Sequence, residues 1–203
     1  MNSLSGSINN FVVVILAHHT RQHKIDAIRR AVHPFPCIVQ MDNARRGALW
    51  NHKEGIKRAM YLGLTPIFME DDALPVEGFA RKATEWVNRF PDTPISFYLG
   101  TSRPPMFQKQ IAERVSSGAE FMTIGTLIHG VCYTIPVRHL GRVYRNLKPN
   151  LPADYAVGNA FGGAFLYPIE SLVDHEDGEP VELLRRDGEK RTEARKAWKL
   201  NRR

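Results

Sequence analysis

The sequence predicts an α/β protein of one domain, built on a mostly parallel, twisted sheet that is flanked by helices. Strand-like apolar runs alternate with helical patterns through the first half of the chain, and this alternation is typical of a doubly wound sheet. The first run, residues 11–17, is apolar without interruption, as expected of a strand buried on both faces. A length of 203 residues suits one full-sized core. Ligands of such sheets bind beyond the carboxyl ends of the strands.

The expected elements follow from apolar spacing and from the positions of proline and glycine. Strands are predicted at residues 11–17, 37–41, 66–69 and 95–99, and helices at residues 21–32, 48–62, 75–90 and 137–147. Pro34 ends the first helix, and Gly63 ends the second. Further along the chain, residues 101–118 are predicted as a loop, residues 121–135 as one or two strands, and residues 158–167 as a turn and a strand.

Composition excludes several classes of protein. Hydrophobic residues make up 43% and charged residues 24%, and no low-complexity tract occurs, which argues against disorder, collagen and coiled coil. The longest apolar run, from Phe11 to Ala17, has seven residues, whereas a membrane helix needs about 20. This run also lacks the flanks of a signal peptide. We therefore expect a soluble chain in the cytoplasm, with Cys37 and Cys132 as buried free thiols.

Basic charge is concentrated at the end of the sequence. The net charge is +7, and residues 181–203 contain nine basic and four acidic side chains. We therefore divide the chain into a domain of residues 1–180 and a basic tail or helix of residues 181–203. Such a tail can hold a polyanion, either nucleic acid or an anionic membrane surface, by releasing counterions. The alternative is a frayed, solvated helix without a partner.

Three consecutive carboxylates, Glu70, Asp71 and Asp72, follow the third predicted strand. Because burial of an unpaired carboxylate costs several kcal/mol, this cluster needs a cation. Carboxylates at the open end of a sheet suit Mn²⁺ or Mg²⁺, which take further ligands from water and from substrate phosphates. In an extended segment Glu70 and Asp72 face one side and Asp71 faces the other, which predicts an acid-x-acid pair. The alternative is that the acids complement the dipole of the helix that begins near Pro75.

Two segments near the acidic cluster form a motif. The first is Gly47-Ala-Leu-Trp-Asn-His52, and the second is Ile67-Phe-Met-Glu-Asp-Asp72. They resemble family 25 glycosyltransferases and related lipopolysaccharide glycosyltransferases, which have a Gly, three residues, Ser-His, a helix, and a strand ending in Glu-Asp-Asp. Asn51 stands where the family has Ser. A weaker likeness extends to residues 151–154, where the family has Pro-x-Asp, and to Tyr167-Pro168 followed by His175.

The resemblance implies a GT-A fold, which is a Rossmann-like sheet that binds a nucleotide-sugar donor, most often a UDP-sugar, with a metal on its diphosphate. By resemblance Asp72 is a direct metal ligand, and Glu70 and Asp71 touch the metal or the donor sugar. His175 is implied as a late metal ligand, with a surface position as the alternative. His52, with Asn51 before it, is implied at the donor, with a packing role as the alternative.

Residues after the first two strands would lie where GT-A proteins hold the nucleotide. These candidates are His18, Thr20 and Arg21 after the first strand, and Asp42, Asn43 and Arg46 after the second. The N-terminus of the helix after the first strand attracts anions such as phosphate. Arg21 would contact the phosphates there. The alternatives are a solvated Arg21 and an Asp-Asn pair that only forms a turn.

Transfer of a sugar to a hydroxyl needs a base that takes the proton of the acceptor. Asp154 is the first candidate, because of its position in the resemblance and because it carries a carboxylate. The alternative is a loop Asp that binds local backbone amides. His129 is a second candidate base or acceptor contact, with a hydrogen-bonded core histidine as the alternative.

These features together predict a metal-dependent glycosyltransferase that acts on a hydroxyl acceptor. The +7 charge and the basic tail favour a hydroxymethylated pyrimidine in DNA, extruded from the duplex, as the acceptor. Phages glycosylate such bases, so the compartment would be the host cytoplasm if the chain is phage-encoded. The alternatives are a transferase for lipopolysaccharide or another envelope glycan, a nucleic-acid or glycan binding module without turnover, and a metal-dependent nucleotide hydrolase or nucleotidyltransferase.

Overall fold

The computed structural model describes residues 10–176 and 194–202. Its strands are β1 (Phe11–His18), β2 (Cys37–Asp42), β3 (Thr65–Glu70), β4 (Ala73–Pro75), β5 (Ile95–Ser96), β6 (Phe121–Ile124), β7 (Cys132–Thr134), β8 (Phe165–Pro168) and β9 (Val173–His175). Its helices are α1 (Ile25–Ala31), α2 (Ala48–Leu62), α3 (Phe79–Arg89), α4 (Pro105–Ser116), α5 (Val137–Asn146) and α6 (Ala153–Phe161), and a 3-10 segment (His19–Lys24) precedes α1.

Seven strands form one mixed sheet in the order β2-β1-β3-β7-β5-β8-β6. β1 pairs in parallel with β2 and with β3, and β5 pairs in parallel with β8. β7 and β6 are antiparallel to their neighbours, so five of the seven strands run in one direction. The predicted class, an α/β domain with a mostly parallel sheet, is confirmed. A small sheet of β4 and β9 lies beside the main sheet and pairs Ala73 with His175.

Helices cover both faces of the main sheet. β1 is buried on both sides, with Val13 and Ile15 in one apolar cluster and Val14 and Leu16 in the other. The first cluster includes side chains of α1 and α3, and the second includes side chains of α2, α4, α5 and α6. The apolar run of residues 11–17 is therefore uninterrupted because β1 is buried on both faces, as predicted.

Several boundaries differ from the expected ones. The first helix was expected from residue 21, but a 3-10 turn occupies His19–Lys24 and α1 begins at Ile25. The third helix begins at Phe79 instead of Pro75, because Ala73–Pro75 pairs as a strand with β9. The strand expected at residues 95–99 ends at Ser96, although the chain stays buried through Leu99.

Two segments have a different structure from the one expected. The predicted loop at residues 101–118 is wrong, because α4 occupies Pro105–Ser116 and packs Ile111 into the core. Proline at the start of this segment suits the first turn of a helix, so it marks a beginning rather than a loop. The predicted turn before β8 is also wrong in part, since α6 continues to Phe161 and ends at Gly162 in a left-handed conformation.

Residues 194–202 form an extended segment that we call the C-terminal strap. The Trp198 N–H donates to the Leu99 carbonyl (2.9 Å), and the Ser171 N–H donates to the Lys199 carbonyl (2.8 Å). The Trp198 side chain packs against the core on the α2 side of the sheet. A frayed helix is therefore wrong for the strap, because its backbone groups bond to the domain. Residues 181–193 and Arg203 of the predicted tail lie outside the described residues.

The structure also bears on membrane-spanning helices and on the two cysteines. Within residues 10–176 and 194–202, no helix has the length and apolar character needed to cross a membrane. Cys37 and Cys132 are free thiols, with Cys132 buried and Cys37 half-buried. Burial raises the pKa of both thiols above the usual cysteine range, so they stay protonated.

Two helical glycines provide a test of this packing. A Cβ on Gly158 of α6 would lie 2.2 Å from Thr126 Oγ1 and 2.4 Å from the Leu127 amide nitrogen, whereas a Cβ on Gly141 of α5 would meet nothing closer than 3.5 Å. Alanine in place of glycine stabilises an exposed helix by up to about 1 kcal/mol. We expect Gly141→Ala to follow that rule and Gly158→Ala to lose about 2 kcal/mol or more through overpacking. Urea unfolding of both variants measures the difference, and equal effects would contradict the close contact of α6 with residues 126–127.

Candidate active site

The three consecutive acids separate at the carboxyl end of β3. Glu70 is the last residue of the strand, and residues 71–72 form a turn. The Glu70 side chain reaches α2, whereas Asp71 and Asp72 both reach the segment after β1. The expectation that Glu70 and Asp72 share one side is wrong, because the extended alternation stops where the strand ends.

Asp71 and Asp72 share one arginine. Arg21 Nη1 donates to Asp71 Oδ1 at 2.9 Å and to Asp72 Oδ2 at 2.8 Å, and both carboxylates are almost fully buried. His175 Nε2 lies 3.3 Å from Asp72 Oδ2, although the two residues are far apart in the sequence. The His18 N–H donates to Asp71 Oδ2 at 2.7 Å. We call Arg21, Asp71, Asp72 and His175 the Arg21 cluster.

The two aspartates of the Arg21 cluster have opposite pKa shifts. Burial disfavours the charged form of each carboxylate. At Asp71 burial outweighs the bonds from the His18 amide and Arg21, so the pKa is raised. At Asp72 burial also acts upward, but His175 and Arg21 outweigh it and lower the pKa to about 2. Asp72 is therefore the constant negative charge of the cluster.

A second group of polar side chains surrounds Glu70 on the α2 side of the sheet. His52 Nε2 lies 3.1 Å from Glu70 Oε1, and His52 Nδ1 lies 2.8 Å from the Tyr133 hydroxyl. Burial raises the pKa of Tyr133 well above its usual range, so this side chain stays a hydroxyl. His52 thus bridges the Tyr133 hydroxyl and the Glu70 carboxylate, and a proton on its Nε2 can form the hydrogen bond to Glu70 Oε1.

Asp154, in the first turn of α6, lies within electrostatic range of this second group, because the charges of Glu70 and His52 both act on its carboxyl. Burial raises the pKa of Asp154 to about 6, and the negative charge of Glu70 adds to the rise. The Tyr155 N–H, which donates to Asp154 Oδ1 at 2.9 Å, and His52 both lower this pKa, but their effect is smaller than that of burial and Glu70. A carboxylate with such a pKa is suited to taking a proton near neutral pH. We call Glu70, His52, Tyr133 and Asp154 the Glu70 cluster.

Gly130 leaves room for the Glu70 cluster. A Cβ at this position would lie 3.0 Å from Glu70 Oε1 and 3.2 Å from His52 Cε1, whereas a Cβ on the nearby Gly125 would meet nothing within 4 Å. We expect Gly130→Ala to push Glu70 and His52 apart, and to lower about ten-fold or more the rate of any reaction that depends on their contact. Gly125→Ala is the matched control and is expected to retain activity. Equal activity of the two variants would show that the contact between Glu70 and His52 is not needed for function.

The predicted metal ligands fit a cation only in part. Asp72 and His175 are together, and among the described residues Asp72 Oδ1 is buried without a hydrogen-bond partner. Glu70 is directed to His52 instead, so its predicted place among the ligands is wrong. In the described ranges, no three His, Cys, Asp or Glu side chains are placed to enclose a metal ion. Asp72 and His175 therefore suit an ion that takes most of its ligands from water and from a phosphate, as Mg²⁺ does.

Predicted donor contacts after β1 and β2 lie near the Arg21 cluster. His18 Nδ1 is 2.8 Å from Thr20 Oγ1. Asp42 accepts the backbone N–H groups of residues 44, 46 and 47, and its pKa is lowered because these bonds outweigh burial. Asp42 thus shapes the loop before α2, as the turn alternative predicts.

Three further candidates have different surroundings. Asn43 is exposed, and the Arg46 guanidinium lies over the Trp50 ring at 4.9 Å. Asn51 is buried and donates from Nδ2 to the Ala17 carbonyl at 3.1 Å, which ties α2 to the end of β1. Asn51 therefore positions α2, and with it the neighbouring His52.

His129 lies close to the Arg21 cluster. Its ring packs edge-on against Tyr98 at 5.1 Å, and Tyr98 also faces His175 at 6.3 Å. Burial lowers the pKa of His129 to about 3, and the positive charge of Arg195 contributes. Nε2 of this neutral ring has no hydrogen-bond partner within residues 10–176 and 194–202. His129 does not belong to the group that contains Asp154.

Sequence reasoning missed Tyr133, Gly130 and the strap residues Arg195 and Lys196. Tyr133 reads as an ordinary core tyrosine in an apolar stretch, because its partner His52 is distant in the sequence. Arg195 and Lys196 are hidden in a run of basic residues, where no local pattern separates those that face the site from those that face solvent.

Comparisons with known proteins inform the fold. No protein-family model matches the chain, and no curated protein matches it significantly. Among solved structures, the chain is similar to A197 from STIV, with a TM-score of 0.56 and 11% sequence identity. The alignment covers 83% of this chain and 85% of A197. At this identity the likeness concerns the course of the backbone.

Proposed function

We propose that the chain is a glycosyltransferase that moves a sugar from a nucleotide-sugar donor to a hydroxyl acceptor. The observation that carries the proposal is the pair of polar clusters on the two sides of the carboxyl end of β3. The Arg21 cluster offers carboxylate oxygens for a metal ion that would bind a diphosphate, and the Glu70 cluster offers a carboxylate for proton transfer. Ligands of open α/β sheets bind at this end of the strands.

The proposed reaction joins the acceptor oxygen to the anomeric carbon of the donor sugar. As this bond forms, the bond between the anomeric carbon and the diphosphate oxygen breaks, and the nucleoside diphosphate leaves with the electron pair. Asp154 takes the proton of the acceptor hydroxyl, for which a pKa of about 6 is suitable. Glu70, held by His52 at 3.1 Å, raises the basicity of Asp154 through its negative charge.

The donor is proposed to lie against the Arg21 cluster. Asp72 and His175 would hold Mn²⁺ or Mg²⁺, which supplies positive charge to the leaving diphosphate when bound. Arg21 would exchange one aspartate for a phosphate oxygen, since arginine binds both groups with the same geometry. His18 and Thr20 would contact the nucleotide, and a UDP-sugar is the proposed donor. The proposed location of this activity is the cytoplasm.

A basic face favours a polyanionic acceptor. The packed helices α2 and α5 carry six basic side chains and one acidic side chain, Glu54. The basic residues are Lys53, Lys57, Arg58, Arg138, Arg142 and Arg145. Lys53 Nζ lies over the Tyr144 ring of α5 at 5.2 Å, where the two helices pack together. A DNA strand with a hydroxymethylated pyrimidine is therefore the proposed acceptor, held by phosphate contacts.

A transfer assay tests the proposal. The full chain is incubated with Mn²⁺, a panel of nucleotide sugars, and either hydroxymethylated DNA or a lipopolysaccharide core, and mass spectrometry follows each acceptor. A hexose or pentose mass gain on DNA is the expected result. A gain on the lipopolysaccharide core instead would show that the acceptor is an envelope glycan and not DNA. Release of nucleoside diphosphate that is equal with and without acceptor would identify a hydrolase. Absence of both transfer and release would leave a binding module.

A further inference from the structure

A cavity of about 230 Å³ lies at the end of the sheet opposite the candidate active site. Its lining includes Thr65, the first residue of β3, whereas Glu70 of the candidate site is the last residue of that strand. At about 3.3 Å per residue, the strand separates the cavity from the candidate site by roughly 15 Å. The cavity is therefore a separate feature of the fold, smaller than pockets for drug-sized ligands, which measure about 300–1,000 Å³.

The direction of β7 explains why a helix begins at this cavity. β7 is antiparallel to β3 and to β5, so its carboxyl end lies where the parallel strands begin. α5 follows β7 closely and begins at Val137, which lines the cavity. The first N–H groups of a helix have no acceptor within the helix, and no side chain of the described ranges caps α5. The partial positive charge of this helix N-terminus attracts anions.

Thr134, the last residue of β7, gives the cavity a buried hydroxyl. It pairs with Ile67 and with Ile95, and residues opposite each other in a sheet share a face. Ile67 and Ile95 belong to the apolar cluster against which Val87 packs, and Val87 lines the cavity, so the Thr134 side chain is on the cavity side of the sheet. Thr134 is 2% exposed, and among the residues that the structure describes its Oγ1 has no hydrogen-bond partner. Buried polar groups of native proteins are nearly always bonded, so this hydroxyl calls for a group that the bare chain lacks.

The polar side chains that line the cavity all carry hydrogen-bond donors. Thr65 and Thr93 add two further hydroxyls, and Arg138 adds a guanidinium. In the described part of the chain, no carboxylate lines the cavity. Three hydroxyls, a guanidinium and a helix N-terminus suit an oxyanion such as a phosphate group, whose oxygens can accept from all of these donors.

Arg138 has donors left for such a ligand. Its Nη1 donates to Asp92, an exposed residue next to Thr93, and its Nε donates to His139 Nε2 at 3.2 Å. A guanidinium has five N–H groups, so Nη2 can still donate. Asp92 neutralises the charge of Arg138 in the empty site and competes with a phosphate for the same guanidinium.

We propose that this cavity is an anion site that binds a phosphate group, held by the N-terminus of α5, the Thr134 hydroxyl and Arg138. A free phosphate ion and the backbone of a nucleic-acid strand present the same oxygens, and the test separates these two sources. The inference does not rest on the proposed glycosyl transfer, because none of its residues belongs to the Arg21 cluster or to the Glu70 cluster.

Titration calorimetry of the full chain with sodium phosphate tests the inference, with sodium chloride of the same ionic strength as the blank. Thr134→Val removes the hydroxyl and is expected to raise the Kd about ten-fold or more, the effect of one lost hydrogen bond to a charged group. Thr123→Val is the matched control, since Thr123 is exposed on β6, and its Kd should stay unchanged. Asp92→Asn is expected to lower the Kd several-fold, because it removes the carboxylate that competes for Arg138.

Thermal unfolding separates ligand binding from a structural role of the hydroxyl. Without phosphate, Thr134→Val should melt at the temperature of the natural chain or above it, because valine removes an unbonded buried hydroxyl. With phosphate, the melting temperature of the natural chain should rise and that of Thr134→Val should not. A lower melting temperature of the variant in both buffers would show that Thr134 stabilises the bare chain, and it would overturn the inference.

Binding of a single-stranded oligothymidylate, followed by fluorescence anisotropy, identifies the source of the phosphate. Weaker binding of the oligonucleotide by Thr134→Val than by Thr123→Val would assign the site to a nucleic-acid strand. Equal oligonucleotide binding beside a raised Kd for phosphate would assign it to a free phosphate ligand, and either result supports the site. If the natural chain binds neither probe above the blank, or if Thr134→Val binds both as tightly as Thr123→Val does, the cavity holds only water and the inference is overturned.

Discussion

Asp154→Asn is expected to lower kcat about 10²- to 10⁴-fold, the usual contribution of a general base. If the proposed transfer is correct, its rate in the natural chain rises with the pH through about 6, because the Asp154 carboxyl must lose its proton before it can accept one. The variant should lack this step in its pH profile. Steady-state transfer rates between pH 5 and pH 8 measure both effects. A variant with the natural rate and the natural profile would exclude Asp154 as the base.

Stability of the same variant provides a second readout. The pKa of Asp154 is raised in the folded state, so the folded chain binds the proton more tightly than the unfolded chain, and stability falls as the pH rises towards about 6. Asparagine does not ionise. We therefore expect Asp154→Asn to be more stable than the natural chain at pH 8, by about 1–3 kcal/mol, and to lose this advantage near pH 4. Urea unfolding at the two pH values measures the change.

Asp72→Asn is expected to abolish metal-dependent transfer, with kcat/KM lower by about 10³-fold or more, because an ion that neutralises a leaving diphosphate contributes several kcal/mol. Asp72 is the member of the acidic cluster whose pKa is held low and whose second oxygen has no partner. Transfer rates with increasing Mn²⁺ measure the loss. Full activity of this variant would refute the assignment of Asp72 as the metal ligand.

A binding measurement separates this role from a structural one. Mn²⁺ binding, followed by the electron paramagnetic resonance of the free ion, should weaken in Asp72→Asn by about ten-fold or more. Asp26→Asn is the matched control, because Asp26 is an exposed aspartate of α1 that pairs with Arg29, and the Mn²⁺ binding of this variant should equal that of the natural chain. Equal Mn²⁺ binding by both variants would place the ion elsewhere.

The central strands and α2 could be predicted from the sequence, because their signals are local. α2 begins at Ala48 and ends at Leu62 as expected, since Gly63 adopts the left-handed conformation that ends a helix. β1 has the expected burial on both faces. α4 was not predicted, because Ile111 is its one fully buried residue and the segment therefore reads as polar in the sequence.

The candidate site was predicted at the right end of the sheet, but its internal pairing was not. Sequence distance hides the contacts between Arg21 and Asp72 and between His175 and Asp72, which depend on the turn after β3 and on the pairing of β4 with β9. The contact of Asp72 with His175 agrees with the set of ligands that the resemblance implies. The separation of Glu70 from Asp71 could not be read from spacing, because it depends on the residue at which the strand stops.

β3 serves both clusters with neighbouring residues, Glu70 on one side of the sheet and Asp71 on the other. Side chains of a strand alternate between faces, so deleting one residue from Thr65–Glu70 would move every following side chain to the opposite face. Deleting one of residues 65–69 would therefore turn Glu70 away from His52 and towards the face that holds Arg21, with all the charges retained. We expect a change in the length of this strand to be tolerated far less well than a change in the length of the loops around it.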